Sequence, residues 1–314
     1  VAEVAPPPRP ASGLRRVFLS PSDGRLRAGW RLLAHAALFG SLLIAFTLPI
    51  AVALAVAAFA SPGLSIDTLL MLGSAFASAI AITLATWFAR RYIDRRSLLS
   101  LGMRFDRHTI ADLLVGFAIP GLLMGLVFAG EWSLGWLQFE GWSWEGGAWG
   151  QTLLGLLAGL ALYCAVGYEE ELFSRGYQLQ NLIEGSSLRL GLFLSALIFS
   201  ILHLLNPGAG WASLLGILAA AYFLALGWVR TRQLWLSIGL HIGWNFFEGT
   251  VFGFPVSGLN LFRLMRHTVG GPTWLTGGAF GPEAGLILLP VLAVGASLVW
   301  FYTRGRAEAA TSGG

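Results

Sequence analysis

Three consecutive carboxylates, Glu169, Glu170 and Glu171, interrupt an otherwise apolar run and are followed by Arg175. Glu171 and Arg175 are four residues apart, so they share a helix face and can pair. Glu170 lies about 100° round the same helix and is free to face something else. The next apolar run carries Phe199-Ser200-Ile201-Leu202-His203. The midpoint between residues 170 and 203 falls in Glu184-Gly185-Ser186-Ser187, the turn-like stretch between the two runs. An antiparallel hairpin about that turn brings Glu170 and His203 to one depth. A later run carries His241-Ile242-Gly243-Trp244-Asn245, whose His and Asn share a face. Gly239 and Gly243 beside them allow a close helix approach. A carboxylate, two imidazoles and an amide from three helices can therefore converge. Such a set can take a proton from water and donate hydrogen bonds to a developing oxyanion. Glu170, His203 and His241 can instead ligate Zn²⁺, leaving a position for water, whose pKa the metal lowers. Taken singly, each His or Asn equally reads as interhelical glue. Glu169 reads as solvated in a cavity, Glu248 as lying at the outer interface, and Cys164 as a small packing residue.

The elements that position these groups follow from composition. The 314 residues are 56% hydrophobic and only 11% charged, with a mean hydropathy of +0.70. Soluble domains carry about 25% charged residues, so a soluble enzyme and a disordered chain are excluded. The single Cys164 excludes an internal disulfide and a multi-Cys metal centre. Crossing a bilayer takes about 20 apolar residues. Eight runs qualify, at 32–60, 68–89, 110–130, 149–183, 188–205, 211–229, 234–253 and 284–302. The expectation is an all-α, polytopic transmembrane bundle of about eight spans. It divides into an N-terminal tail (1–31), N-terminal membrane helices (32–147), a membrane domain holding the polar residues (148–303) and a C-terminal tail (304–314). The first 30 residues are too polar for a cleavable signal.

All twenty basic residues are Arg, clustered between the apolar runs. This pattern marks topology, not a nucleic-acid surface. With the N-terminus inside, only Arg263 and Arg266 fall outside. An even number of spans returns the C-terminus, with Arg304 and Arg306, to the cytoplasm. The expected location is the cell (inner) membrane, with both termini cytoplasmic and substrate access from that side. The Gly-rich outer stretch, about 254–282, reads as a connector. The partners expected are membrane lipid and no nucleic acid.

In order, Glu170-Glu171-x-x-x-Arg175, Phe199-x-x-x-His203 and His241-x-x-x-Asn245 resemble the three motifs of the CPBP family. These are the CAAX-prenyl-protease and bacteriocin-processing intramembrane proteases, also called the Abi or type II CAAX endopeptidase family. His203-Leu204-Leu205-Asn206-Pro207 and Thr276-Gly277-Gly278-Ala279-Phe280-Gly281-Pro282-Glu283 also look like its bacterial members. The resemblance covers residues 150–290. It implies an intramembrane endopeptidase acting on a membrane-associated or prenyl-type peptide or protein. It further implies that Glu170 is the general base, that His203 orients and activates water, that His241 and Asn245 hold the oxyanion, and that Glu171 and Arg175 form a supporting pair. The resemblance leans to a glutamate mechanism without a cofactor, with Zn²⁺ as the alternative. A proton-coupled transporter and a non-catalytic bacteriocin-immunity or scaffold protein are the rival readings. No H-E-x-x-H or G-x-S-G pattern is present, nor a deep Asp pair.

Overall fold

A computed structural model of the chain describes residues 17–21, 23–60 and 66–312, with side chains as far as Arg306. Most of the expected N-terminal tail, including Arg9, Arg15 and Arg16, lies outside the described residues. The membrane helices are α1 (Ala28–Ala60), α2 (Asp67–Phe88), α3 (Thr109–Ser133), α4 (Trp149–Glu171), α5 (Leu179–Gly185), α6 (Leu188–Leu202), α7 (Trp211–Thr231) and α8 (Trp235–Asn245). After a short α9 (Thr273–Thr276), the chain ends in α10 (Leu288–Ser312). The helix thus continues into the expected C-terminal tail, as far as Ser312. α4 continues into α5 through a π-helical stretch, Leu172–Gln178. Among the described residues, seven segments are long and apolar enough to span a membrane.

The predicted run 234–253 behaves differently. α8 has 11 residues and a 6-residue π-helical extension, Phe246–Val251. Together they reach at most about 25 Å at 1.5 Å per residue, short of a ~30 Å hydrocarbon core. All of α8 except Ile242 is buried. It is the bundle's central helix, wrapped by protein rather than by lipid.

Small residues make that central position possible. A methyl group on Gly116 of α3 would lie 2.7 Å from the Leu236 carbonyl oxygen, and one on Gly239 would lie 2.5 Å from that of Leu113. Gly167 of α4 meets Ile242, and Gly227 of α7 meets Ser237, in the same way. Without a hydrophobic driving force between helices in lipid, such close approach maximises dispersion contacts. The glycine pair anticipated at 239 and 243 therefore does what its spacing predicts.

The ends of the helices sort cleanly. At one end, Arg31 pairs with Glu184 at 3.0 Å, Leu234 N donates to the Gly102 carbonyl at 2.8 Å, and Arg306 pairs with Asp112 at 2.7 Å. The start of α1, the start of α8 and the end of α10 all meet there. At the other end a two-stranded antiparallel ribbon joins β1 (Leu137–Trp142) to β2 (Met265–Val269), and Arg266 pairs with Glu145 at 2.9 Å. This ribbon is the one addition to the expected all-helical architecture among the described residues.

Candidate active site

The hairpin predicted between Glu170 and His203 forms: α5 ends at Gly185 and α6 begins at Leu188, with the Ser187 hydroxyl capping it by accepting from Leu190 N. Glu170 Oε2 stands 4.0 Å from His203 Nε2 and 3.7 Å from His241 Nε2. That oxygen is buried and has no hydrogen-bond partner. The two imidazoles converge on it because their other nitrogens are committed elsewhere. His203 Nδ1 donates to the Phe199 carbonyl at 2.8 Å, one turn back on α6. His241 Nδ1 donates to Glu171 Oε1 at 2.8 Å. These separations are too long for direct hydrogen bonds, and the adjoining cavity has room for a water that touches all three atoms from one side.

Glu171 is fully buried and joins three helices. Besides His241 of α8, its Oε1 accepts from Arg175 Nη1 at 2.7 Å. Arg175 in turn donates from Nη2 to the Ala221 carbonyl of α7 at 2.9 Å, and its guanidinium lies 4.5 Å from the centre of the Phe199 ring. Arg175 is thus an interior residue, not one of the charges expected at the cytoplasmic end. The π-helical stretch starts immediately after Glu171, and a second one starts immediately after Asn245. Wider turns of this kind re-aim side chains and concentrate at functional sites. Nothing in the local sequence pattern announces them.

Glu170, His203, His241 and Asn245 line one cavity of about 140 Å³. Asn245 is buried and follows His241 by one turn. Glu169 does not line the cavity and turns toward Ser78 of α2. Glu248 is fully buried, not interfacial as expected, because the chain after α8 folds back over it, with Phe254 N donating to its carbonyl at 2.9 Å. Cys164 is exposed on the surface of α4 and does not act as a packing residue.

The outer stretch is more than a connector. Val256, Ser257, Leu259, Leu261 and Glu283 all line the cavity. Glu283 accepts from Trp244 Nε1 at 3.1 Å and from Ser257 N and Oγ at 2.7 and 2.6 Å. It thereby ties two parts of the loop to the residue preceding Asn245. Sequence reasoning left Glu283 out of the site, although the glycines before it carried a signal. Gly277 and Gly281 adopt φ of +83° and +101°, and a methyl group on either would lie within about 2 Å of a carbonyl oxygen. An apolar groove of about 490 Å³ between the first turns of α2 and α4 adjoins the cavity and shares Met71, Leu162 and Leu261 with it.

Among the described residues, no group of three His, Cys, Asp or Glu side chains is arranged to hold a metal ion. The arrangement supplies a carboxylate base, two imidazoles, and an amide donor inside a walled cavity.

Residues 150–247 match the family model described as type II CAAX prenyl endopeptidase Rce1-like. No curated protein and no solved structure matches the chain. The family match bears out the resemblance to the CPBP proteases and supports a CAAX-type intramembrane protease in general. The matched segment contains all seven named residues of the three motifs and ends before Glu248 and the outer loop. The protein is a multi-pass membrane protein.

Proposed function

We propose that the chain is an intramembrane endopeptidase that hydrolyses a peptide bond with a water activated by Glu170 and His203, without a metal ion. The observation that carries this is the buried, unpartnered Oε2 of Glu170 facing two imidazole Nε2 atoms across gaps of 3.7 and 4.0 Å. A water held there transfers a proton to Glu170 as its oxygen attacks the scissile carbonyl carbon. The carbonyl oxygen becomes an oxyanion, which accepts from the Asn245 amide. His241, whose Nδ1 is engaged by Glu171, contributes a second donor from Nε2 when the ring carries both protons. Collapse of the intermediate breaks the C–N bond, and Glu170 returns its proton to the leaving amine. Glu171 and Arg175 touch no substrate in this scheme; they hold His241 in place.

The substrate class that fits is a membrane-associated or prenyl-type peptide or protein. The apolar groove beside the cavity gives its lipid anchor or apolar segment a place to lie. The gathering of the start of α1 and the end of α10 at the Arg-rich end supports cytoplasmic termini in the inner membrane. The cavity and groove are walled in part by the loop from the ribbon end; the Arg-rich loops favour substrate access from the cytoplasmic side.

The deciding experiment is cleavage of a quenched peptide library by detergent-purified protein, comparing wild type with Glu170→Gln, each with and without a strong chelator. Cleavage that requires Glu170 and survives the chelator is expected. Cleavage lost to the chelator and restored by Zn²⁺ moves Glu170, His203 and His241 into a metal site. Equal cleavage by a folded Glu170→Gln protein overturns the assignment.

A further inference from the structure

A second large cavity lies away from the catalytic residues, at the Arg-rich end. It measures about 710 Å³, and its charged lining residues are Asp23, Arg25, Arg27, Arg31, Arg96 and Glu184. We propose that this cavity binds the phosphate headgroup of an anionic phospholipid.

The charge balance is the first reason. Three guanidinium groups converge on the single carboxylate of Glu184: Arg31 at 3.0 Å, Arg25 at 3.5 Å, and Arg96. Arg25 also pairs with Asp23 at 2.6 Å. Arg31 reaches Asp94 at 3.5 Å, but Arg90 already holds that carboxylate at 2.8 Å. Arg27 has no ion-pair partner among the described residues. Four cations therefore line a space that holds two anions, and the neighbouring Asp94 is matched by Arg90. The second reason is burial. Arg31 is only 4% exposed, and its Nε has no hydrogen-bond partner. A guanidinium so little hydrated, sharing its carboxylates with Arg25, Arg90 and Arg96, favours a further anion beside it.

The third reason identifies the source of that anion. Trp30 and Leu33 of α1 line the same cavity and are 39% and 62% exposed. Further along α1, Ile44, Leu48, Val52 and Val56 are exposed as well. The cavity thus opens beside an apolar helix surface suited to acyl chains, with a tryptophan at the level where indoles mark the membrane interface. Planar guanidinium groups match phosphate oxygens in bidentate fashion, and basic pockets at the cytoplasmic side of membrane helices hold anionic headgroups. A soluble phosphate has the same headgroup chemistry but nothing to place along α1.

The test is native mass spectrometry of the full chain released from micelles containing phosphatidylglycerol or phosphatidylcholine. Wild type is expected to retain phosphatidylglycerol about tenfold better than phosphatidylcholine. Arg25→Gln/Arg27→Gln is expected to lose that preference, while Arg263→Gln/Arg266→Gln at the opposite end keeps it. If the double variant melts early, Arg27→Gln alone, which breaks no ion pair among the described residues, is expected to reduce the preference roughly threefold. Equal retention of the two lipids by wild type overturns the proposal. So does an unchanged preference in the folded Arg25/Arg27 variant. Saturable binding of inorganic phosphate without any lipid preference overturns the lipid assignment and leaves a soluble-anion site.

Discussion

Glu171 and His241 are 70 residues apart in the chain and joined by a 2.8 Å hydrogen bond inside the bundle. This bond fixes which nitrogen of His241 faces Glu170, and it couples the first motif to the third. Glu171 therefore differs in role from its neighbour. Glu170 is presented to the cavity, whereas Glu171 is spent on Arg175 and His241.

Arg175→Met is expected to destabilise the protein by about 3–5 kcal/mol, because it leaves the Glu171 carboxylate buried beside His241 without its cation. The double change Arg175→Met/Glu171→Leu should recover part of that stability but no cleavage, since His241 then loses its Nδ1 anchor. Thermal unfolding in detergent, run beside the peptide assay, separates the two effects. A single variant as stable as wild type contradicts the buried pair.

Asn245→Ala is expected to lower kcat by about 10²–10³-fold with little change in KM, as befits a donor used in the transition state. Glu283→Gln should behave differently. It disturbs the hydrogen bonds from Trp244 and Ser257 and so loosens the loop over the cavity, at a cost of about 1–3 kcal/mol. Stability and kcat/KM should fall together. Steady-state kinetics paired with melting curves distinguish them. An Asn245→Ala enzyme with full kcat removes the amide from the mechanism.

Gly243→Leu should prevent proper packing of α8 against α3. Even the first added carbon would lie 2.3 Å from the Phe117 carbonyl oxygen, and a backbone on the facing helix cannot rotate away as a side chain can. Gly243→Ala is expected to cost about 1–3 kcal/mol and Gly243→Leu more. Size-exclusion recovery and melting temperature report both. A normal melt for Gly243→Leu shows that the α3–α8 crossing is looser than described.

His267, on β2, titrates to the disadvantage of the fold. Burial holds its imidazole below the ordinary value, and Arg263 acts in the same direction. The folded protein therefore resists a proton that the unfolded chain accepts near pH 6.5. The stabilisation is complete above that pH and is lost as pH falls through it toward the lower folded value. Melting between about pH 7 and about pH 5 should fall more steeply for wild type than for His267→Gln, which keeps a donor for the Phe252 carbonyl now bonded at 2.8 Å. Parallel slopes for the two proteins exclude His267 as a source of acid sensitivity.

The membrane-bundle fold class and the motif residues could be read from the sequence because they are one-dimensional properties. The length of an apolar run, the spacing of His241 from Asn245, and the distance of Glu170 and His203 from a shared turn need no knowledge of neighbours. Even the close approach at Gly239 was legible, since a missing side chain permits contact whatever the partner is. Other features depend on which faces of separate helices meet. The bond from His241 to Glu171, the burial of α8 on all sides, the burial of Glu248 and the insertion of Glu283 are of this kind. Within an apolar environment, hydropathy is nearly uniform round each helix and sets no rotation. Rotation follows from packing at small residues and from the few polar contacts between helices. The two π-helical stretches beside Glu171 and Asn245 add to this, because they shift the phase of each helix at the residues whose direction matters most.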